Sequence, residues 1–138
     1  MKKKKSLSLL KKKAWKLFSL WVRLRFSTYG GTVVCVTCGA LIHYKDAQAG
    51  HFFPKSRGLV YYFHEKNVHV QCVGCNMFRG EQAKINYTIF MQEKYGMGIV
   101  NELETLAPIK YYRSDYELLI AEYKERLKQL DRLHNPIK

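Results

Sequence analysis

Four cysteines form two pairs with the spacing of a metal-binding site. Cys35 and Cys38 make one C-x2-C pair, Cys72 and Cys75 make the other, and 33 residues lie between the pairs. In a reducing compartment such pairs hold zinc, because free thiolates are soft metal ligands. We therefore expect one structural Zn2+ in a closed tetrahedral site. The alternative, a thioredoxin-like redox pair, needs only one C-x2-C and a βαβ setting that this sequence does not show.

Three polar residues have side chains that suit hydrolytic chemistry. His51 lies in "AGHF", Asn67 opens "NVHVQC", and Asn76 directly follows Cys75. Zinc would join the first cysteine turn to the start of a helix at the second pair, and would fix the intervening strands against that helix. We expect the three side chains to converge on one small polar surface. Taken singly, each has a plainer interpretation, as a structural histidine and two turn or cap asparagines.

The elements that must position these residues follow from local patterns. "VVCVTCGALIHY" predicts a strand, a metal-binding turn and a returning strand, and "AGHFFP" and "NVHVQC" predict two further strands joined by a loop. Alternation in "NVHVQC" places Val68 and Val70 on a packed face and Asn67, His69 and Gln71 on a polar one. After Cys75 the pattern becomes helical, with a break at Gly80, a stop at Gly96 and Gly98, and a short helix at about 99–106.

An amphipathic helix is predicted at about 6–26. Its basic flank contains Lys11, Lys12, Lys16 and Arg23, and it is either a solvated face or a phosphate-binding one, with a membrane-surface helix as a third reading. The apolar stripe comprises Leu7, Leu10, Ala14, Leu17, Phe18, Trp21 and Val22, widened by Trp15.

A second amphipathic helix is predicted near the carboxyl end. Ser114 and Glu117 form an S-x-x-E pattern, which is typical of a capping box at a helix start. We expect the apolar stripe that follows either to dock on the body or to pair with a second subunit as a homodimer. The stripe comprises Tyr116, Leu119, Ile120, Tyr123, Leu127, Leu130 and Leu133.

The chain is 138 residues long, the size of one small α+β domain. We divide it into a basic amphipathic helix at 1–30, a zinc-bound core at 31–96 and a helical extension at 97–138. Lys and Arg number 24 against 11 Asp and Glu, a net charge of +13. Such a surface attracts polyanions through salt-sensitive contacts, so nucleic acid is the expected partner. Lysines 11–13 interrupt the apolar run near the start, so we expect no signal peptide, no membrane span and a cytoplasmic location.

The motifs together resemble a known family. "CVTC", "AGHF", "NVHVQCVGCN" and the following "RG" resemble the HNH nuclease motif in its His-Asn-Asn form, framed by two zinc knuckles. With the helix "KAWKLFSLWVRLR", the sequence is most similar to the NinG (Rap) family of phage recombination endonucleases, over roughly residues 12–105. The resemblance implies a treble-clef ββα core with helical flanks in a phage or prophage protein. It also implies metal-dependent cleavage of branched or partly single-stranded DNA. The alternative is a degenerate treble clef that binds without cutting.

The resemblance also implies roles for the three polar residues. His51 would be the general base that activates water, since imidazole titrates near neutral pH. Asn76 would be an oxygen ligand to one catalytic Mg2+ or Mn2+. Asn67 would orient the loop and His51 through side-chain hydrogen bonds. The zinc would have no open position and would take no part in hydrolysis.

One position departs from many HNH enzymes. They carry an acidic residue, a second metal ligand, just before the first histidine, whereas this chain has Gly50. NinG-like sequences also show glycine here. The candidates to replace that ligand are Asp46, Gln48 and His69, and His69 is favoured because it shares a strand face with Asn67.

Several cations and aromatic residues are candidates for DNA contact. Lys55, Arg57 and Arg79 flank the motif and are expected to hold phosphates, unless they are ordinary solvated charges. On the first helix, Lys12, Lys16 and Arg23 have the same expected role. The run 61–63 (Tyr-Tyr-Phe) could stack on unpaired bases, although such a run more often packs beneath a loop. His43 and His64 are expected at the surface.

Overall fold

A computed structural model of the chain describes residues 5–28 and 30–134. Its elements form a mixed α+β structure in which two small sheets lie among the helices. No helix in these ranges is long and apolar enough to cross a membrane. In chain order the elements are α1 (Leu7–Leu24), β1 (Thr32–Val34), β2 (Leu41–His43), β3 (Gln48–His51), α2 (Leu59–Tyr62), β4 (Val68–Gln71), α3 (Val73–Met77), α4 (Gly80–Tyr95), α5 (Ile99–Glu104) and α6 (Arg113–His134).

Helix α1 forms where the hydrophobic periodicity predicts it. The Ser6 hydroxyl caps its first turn by accepting a hydrogen bond from the Leu9 amide at 3.2 Å. The buried side chains recur every fourth residue, so one stripe of the helix faces the core. They are Leu10, Ala14, Phe18 and Val22. Leu7, by contrast, is about half exposed.

The four strands form two antiparallel pairs, as the sequence indicates. β1 pairs with β2, and the cysteine turn between them carries Cys35 and Cys38. β3 pairs with β4, and the register places His51 opposite Val68 and Gly50 opposite His69. The long connection between β3 and β4 contains a short 3-10 turn at Lys55–Arg57 and then helix α2.

Strand β4 is buried on both faces, whereas alternation predicts one packed face and one polar face. Val68 packs in the core that contains Phe18 of α1, and Val70 packs beside Val33 of β1. The intervening His69 and Gln71 are only 1% and 3% exposed. Helix α4 covers His69, and Thr37 of the cysteine turn contacts Gln71, so both polar side chains find partners inside the protein.

The helix after the second cysteine pair breaks at Gly80, as predicted. α3 ends at Met77 and α4 begins at Gly80, which has a φ of +47° that a residue with a side chain rarely adopts. α4 then buries Ala83, Tyr87 and Met91. The short helix α5 begins and ends within the predicted segment at 99–106.

The predicted capping box at Ser114 and Glu117 is wrong. α6 already begins at Arg113, so Ser114 is an exposed residue inside the first turn. The Asp115 carboxylate accepts a hydrogen bond from the Tyr112 amide at 2.7 Å, which is the acidic half of such a box shifted by two residues.

The main core joins the flanking helices to the strand pair. Tyr116, Ile120 and Tyr123 of α6 pack on α1, so this part of the predicted stripe docks on the body. Ala49 of β3 and Val68 of β4 belong to the same cluster. The side chain of Leu133, which belongs to the predicted stripe, lies outside the described part of the chain. Residues 1–4 and 135–138, at the ends of the predicted segments 1–30 and 97–138, also lie outside it. Helix α1 is therefore held against the strand that carries His51.

Phe18 is the side chain on which this packing depends most directly. It is fully buried and makes ring contacts with Phe63 and Tyr123 at centroid distances of 5.7 and 5.1 Å. We predict that Phe18→Ala lowers the free energy of unfolding by about 3–5 kcal/mol, because it leaves a cavity. Leu9→Ala, on the exposed side of the same helix, should cost less than about 0.5 kcal/mol. Denaturant unfolding followed by circular dichroism checks both, and equal losses would contradict the packing.

Candidate functional site

The four cysteines meet in space. Their sulfur atoms all lie within 4.8 Å of one another, and Cys38 Sγ is 3.8 Å from Cys72 Sγ. Zinc–sulfur bonds of about 2.3 Å in a tetrahedron place the sulfurs about 3.8 Å apart, so the cluster has the right size for one zinc ion. All four cysteines are free rather than joined in disulfides. The donor set and its geometry therefore fit a structural zinc site.

Polar groups around the cluster stabilise thiolates. The Thr37 hydroxyl lies 3.2 Å from Cys35 Sγ, and the Cys75 amide donates to Cys72 Sγ at 3.4 Å. Arg79, expected to hold phosphate, donates from Nη1 to Cys75 Sγ at 3.3 Å. Its guanidinium therefore offsets the negative charge of the cluster and does not line the cavity described below.

The thiols differ in their tendency to ionise. Burial opposes ionisation of Cys35, but hydrogen bonds from Thr37 and nearby backbone amides outweigh it and lower the pKa to about 6. Burial raises the pKa of Cys75 to about 12. A bound cation would favour loss of the protons from all four thiols.

A surface cavity of about 630 Å³ lies between α1, β3 and Asn76, the residue after Cys75. One wall is α1 and the other is β3 with the start of the loop that follows it. Asn76 of α3 closes one end. Its lining residues are Trp15, Ser19, Arg23, Ala47, Gln48, Ala49, His51, Pro54, Lys55 and Asn76.

His51 is held firmly at this cavity. Its Nε2 lies 3.1 Å from the Tyr62 carbonyl oxygen, and its ring stacks on Trp15 with centroids 5.2 Å apart. A carbonyl can only accept, so Nε2 carries the proton and the neutral ring keeps its lone pair on Nδ1. Burial lowers the pKa of His51; the hydrogen bond with Tyr62 opposes this in part, and the Lys55 charge lowers it further.

Asn76 shares the cavity with His51, and its amide orientation is set by a neighbour. Asn76 Nδ2 donates to Gln48 Oε1 at 2.7 Å. The side chain is exposed, and Oδ1 remains available as an oxygen ligand. Of the proposed substitutes for the missing acid, Gln48 is the one that contacts Asn76.

Asn67 does not join the other two at the cavity, in contrast to the expected convergence. It is fully buried, and its Oδ1 accepts from the Phe53 amide at 2.9 Å. Its Nδ2 donates to the carbonyl oxygens of Phe53 and Tyr61, at 3.0 and 2.9 Å. The side chain thus ties together both ends of the loop that follows His51, including the segment that carries Tyr62.

His69 was the favoured second metal ligand, and its placement rules it out for the cavity. The Tyr87 hydroxyl donates to the Gly50 carbonyl at 2.8 Å, so it accepts from His69 Nδ1 at 3.2 Å. His69 Nε2 then accepts from the Tyr95 hydroxyl at 2.8 Å. Burial, with the charges of Arg25 and Lys94, lowers the pKa of His69 to about 2. Both nitrogens are used, so neither is available for a cation.

The predicted phosphate-binding cations divide into two groups. Lys55 and Arg23 line the cavity, although Arg23 also donates to the carbonyl oxygens of Ser19 and Tyr44. Arg57 is exposed and lies over the rings of Phe53 and Tyr61 instead. Lys12 and Lys16 are exposed and line no part of the cavity. The same holds for Asp46, the acidic candidate for the second metal ligand.

The aromatic run and the other histidines have mainly structural surroundings. Tyr61 and Phe63 are buried, so they pack beneath the loop as in the plainer reading. Tyr62 is half-buried, with Lys11 4.5 Å from its ring centre. His43 is exposed, whereas His64 is half-buried.

Sequence reasoning missed two contributors to this region. Trp15 was assigned to the apolar stripe of α1, and its proximity to His51 is a tertiary contact that helical periodicity cannot reveal. Gln71 was placed on a polar strand face, but its side-chain amide in fact donates to the Thr37 hydroxyl at 3.3 Å. The only available signal was its position four residues after Asn67 on the same face.

Comparison with known proteins gives a consistent family match. The family model described as "Bacteriophage Lambda NinG protein" matches residues 1–134. Over 97 residues, 70% of this chain, the sequence is 29% identical to "Protein ninG" of Salmonella phage P22 and 28% identical to "Protein ninG" of Escherichia phage lambda. The match covers 47% of each of those proteins, so the chain spans about half the length of these relatives. No solved structure gives a significant match.

The cysteine cluster leads to a direct prediction about metal content. Purified protein should contain about one zinc per chain, and Cys72→Ser should lose most of it and melt at a much lower temperature. Structural zinc contributes about 10–16 kcal/mol of binding free energy, which a small fold cannot lose without consequence. Metal analysis and thermal unfolding check this, with Val73→Ser as the neighbouring control. Full zinc content and unchanged melting in Cys72→Ser would contradict the four-cysteine site.

Proposed function

We propose that this chain, which belongs to the NinG family, is a metal-dependent DNA endonuclease of the HNH type. The observation that carries the proposal is that one cavity contains both His51 and Asn76. His51 has an imidazole nitrogen ready to accept a proton, and Asn76 offers a carboxamide oxygen. Hydrolysis of a phosphodiester needs these two functions close together, namely a base for water and a site for a cation.

The finer fold assignment belongs to the same proposal. The β1–β2 cysteine turn, the β3–β4 pair and α3 occur in the order of a zinc-bound treble clef with a ββα motif. The cysteine cluster supplies four sulfur ligands and leaves no open position, so zinc is a structural ion here.

His51 acts as the general base. Its Nε2 proton is fixed on the Tyr62 carbonyl, so Nδ1 accepts the proton of the attacking water. Trp15 holds the ring in plane from the α1 side, and Asn67 holds the loop segment to which the Tyr62 carbonyl belongs. The lowered pKa keeps the imidazole neutral at pH 7, the form in which it can take a proton.

Asn76 supplies oxygen to a divalent cation, Mg2+ or Mn2+. The fit is incomplete in charge, because the cavity lining contains no carboxylate. When bound, such a cation neutralises charge that develops on the phosphate and on the leaving oxygen. Gln48 keeps the Asn76 amide turned so that Oδ1 is free for this role.

The surrounding charge supports DNA as the substrate. Lys55 lies at the cavity, and Lys12 and Lys16 are exposed on α1, the helix that forms its wall. The chain has a net charge of +13, which attracts DNA. These lysines would hold phosphates on either side of the cleaved bond without reading sequence. The preference for branched or partly single-stranded recombination intermediates rests on the family resemblance alone.

A second function, DNA binding without cleavage, is favoured by one observation. A cavity without a carboxylate is a weak site for a hard cation, since Mg2+ in proteins usually has one or two carboxylate ligands. The two functions differ in one measurable respect, Mg2+-dependent strand cleavage.

We predict that the protein nicks supercoiled plasmid in the presence of Mg2+ and not in its absence. His51→Ala should lower the nicking rate by about 10²–10⁴-fold, because the general base is lost. His43 is exposed and lies outside the cavity lining, so His43→Ala serves as the matched histidine control and should leave the nicking rate unchanged.

Binding measurements complete the test. Fluorescence anisotropy with labelled DNA should show similar, salt-sensitive affinity for the wild type and His51→Ala. Tight binding by a wild type that never nicks would support the binding function and overturn the endonuclease.

The pH dependence of nicking follows from the state of His51. As the pH falls through the pKa of His51, the base becomes protonated and the rate is lost. Because burial and Lys55 hold that pKa below the ordinary value of about 6.5, the acid limb of the pH–rate profile should have its midpoint below 6.5. Single-turnover rates between pH 4.5 and 8, with zinc content measured at each pH, check this. An acid limb centred above pH 7 would contradict the assignment.

A further inference from the structure

The space above Gly50 is occupied by two side-chain oxygen atoms. A Cβ built on Gly50 would lie only 1.7 Å from Gln71 Oε1 and 2.8 Å from Asn76 Oδ1. The two oxygens therefore lie within about 4.5 Å of each other, the sum of those distances. Any side chain at position 50 would displace them, so the glycine leaves room for both oxygens.

Each oxygen has its orientation fixed from behind. Gln71 Nε2 donates to the Thr37 hydroxyl, which turns Oε1 towards Gly50. Asn76 Nδ2 donates to Gln48 Oε1, which turns Oδ1 towards the same space. Two acceptors that face one another repel unless a positive group lies between them. Gln71 is only 3% exposed, so its oxygen cannot turn freely into solvent instead.

The cysteine cluster also sets the orientation of Gln71. A zinc-bound thiolate has no proton, so the Thr37 hydroxyl donates to Cys35 Sγ and presents its lone pairs to Gln71. A chain of hydrogen bonds thus runs from the sulfur cluster to the oxygen pair. It gives the cluster a second task, which is to aim a carboxamide oxygen.

We propose that Gln71 Oε1 is the second protein ligand of a hard divalent cation whose first ligand is Asn76 Oδ1. This rests on the proposed function, in which a cation binds Asn76, and it names the group that replaces the absent acid before His51. Oxygens on one octahedral Mg2+ lie about 3–4 Å apart, which the separation of this pair permits. Because both ligands are neutral, a DNA phosphate must supply the negative charge, and the cation binds well only in the DNA complex.

The test measures binding of Mn2+ itself. In the zinc-loaded His51→Ala protein with a short DNA duplex, Mn2+ binding is followed by loss of the electron paramagnetic resonance signal of the free ion. Gln71→Glu should lower the Kd for Mn2+ by about tenfold or more, because the negative charge of a carboxylate outweighs the lost hydrogen bond to Thr37. Gln71→Leu should raise it by about 10–100-fold. Removing the DNA should weaken Mn2+ binding more in the protein that keeps Gln71 than in the Gln71→Glu variant.

The control variant is Gln82→Glu, which adds the same charge on the exposed surface of α4 and should leave the Kd unchanged. Zinc content and melting temperature identify any variant that has lost its fold. The inference is overturned if the folded Gln71→Glu variant does not bind Mn2+ more tightly than the protein that keeps Gln71. It is also overturned if the protein that keeps Gln71 binds no Mn2+ in the presence of DNA. A purely structural Gln71 would tolerate Glu poorly and could not improve metal affinity.

Separate measurements distinguish an error in the Gln71 assignment from an error in the proposed function. Plasmid nicking by the unmodified protein is measured separately. If the unmodified protein nicks plasmid but substitutions at position 71 do not change the Kd for Mn2+, only the assignment of Gln71 as a ligand is overturned. The predicted Mn2+ response in a protein that never nicks would support the ligand and overturn the endonuclease.

Discussion

Four sulfur atoms from two distant parts of the chain lie close enough together to share one metal ion, and the rest of the candidate site depends on that proximity. The cluster ties the β1–β2 turn to the start of α3, so Asn76, one residue after Cys75, is brought against the strand that carries His51. An apolar core could not do this alone, because the buried residues near the cluster are few and small. A bound zinc ion would replace packing here with bonds of defined length, because a small domain lacks the volume for a larger core.

The second wall of the cavity comes from outside the unit that the cysteine cluster joins. Helix α1 packs against α6 and β3, and this contact brings Trp15 against the face of His51. The imidazole is thus held by an aromatic ring on one side and by the Tyr62 carbonyl at its edge. The carbonyl fixes the tautomer, and burial keeps the ring neutral by lowering its pKa. The flanking helices therefore contribute to the chemistry proposed for the core and do not merely enlarge it.

The sequence predicted those features that depend on local pattern. Cysteine spacing identified the cluster, β-favouring runs located β3 and β4, and Gly80 marked the helix break, because ligand geometry and backbone preference act over a few residues. The surroundings of Asn67 and His69 could not be predicted in this way. Their burial depends on α4 and on the loop after His51, which approach from elsewhere in the chain. The capping box predicted at Ser114 is wrong for a similar reason, because the preceding loop places the Tyr112 amide within reach of Asp115.

Anomalous diffraction from a crystal of the protein–DNA complex grown with Mn2+ would locate both metals. We expect a zinc peak among the four cysteine sulfurs and a separate manganese peak beside Asn76 Oδ1, with a DNA phosphate between that ion and His51. A complex with zinc among the sulfurs and DNA bound, yet with no manganese in the cavity and no phosphate near His51, would contradict this expectation.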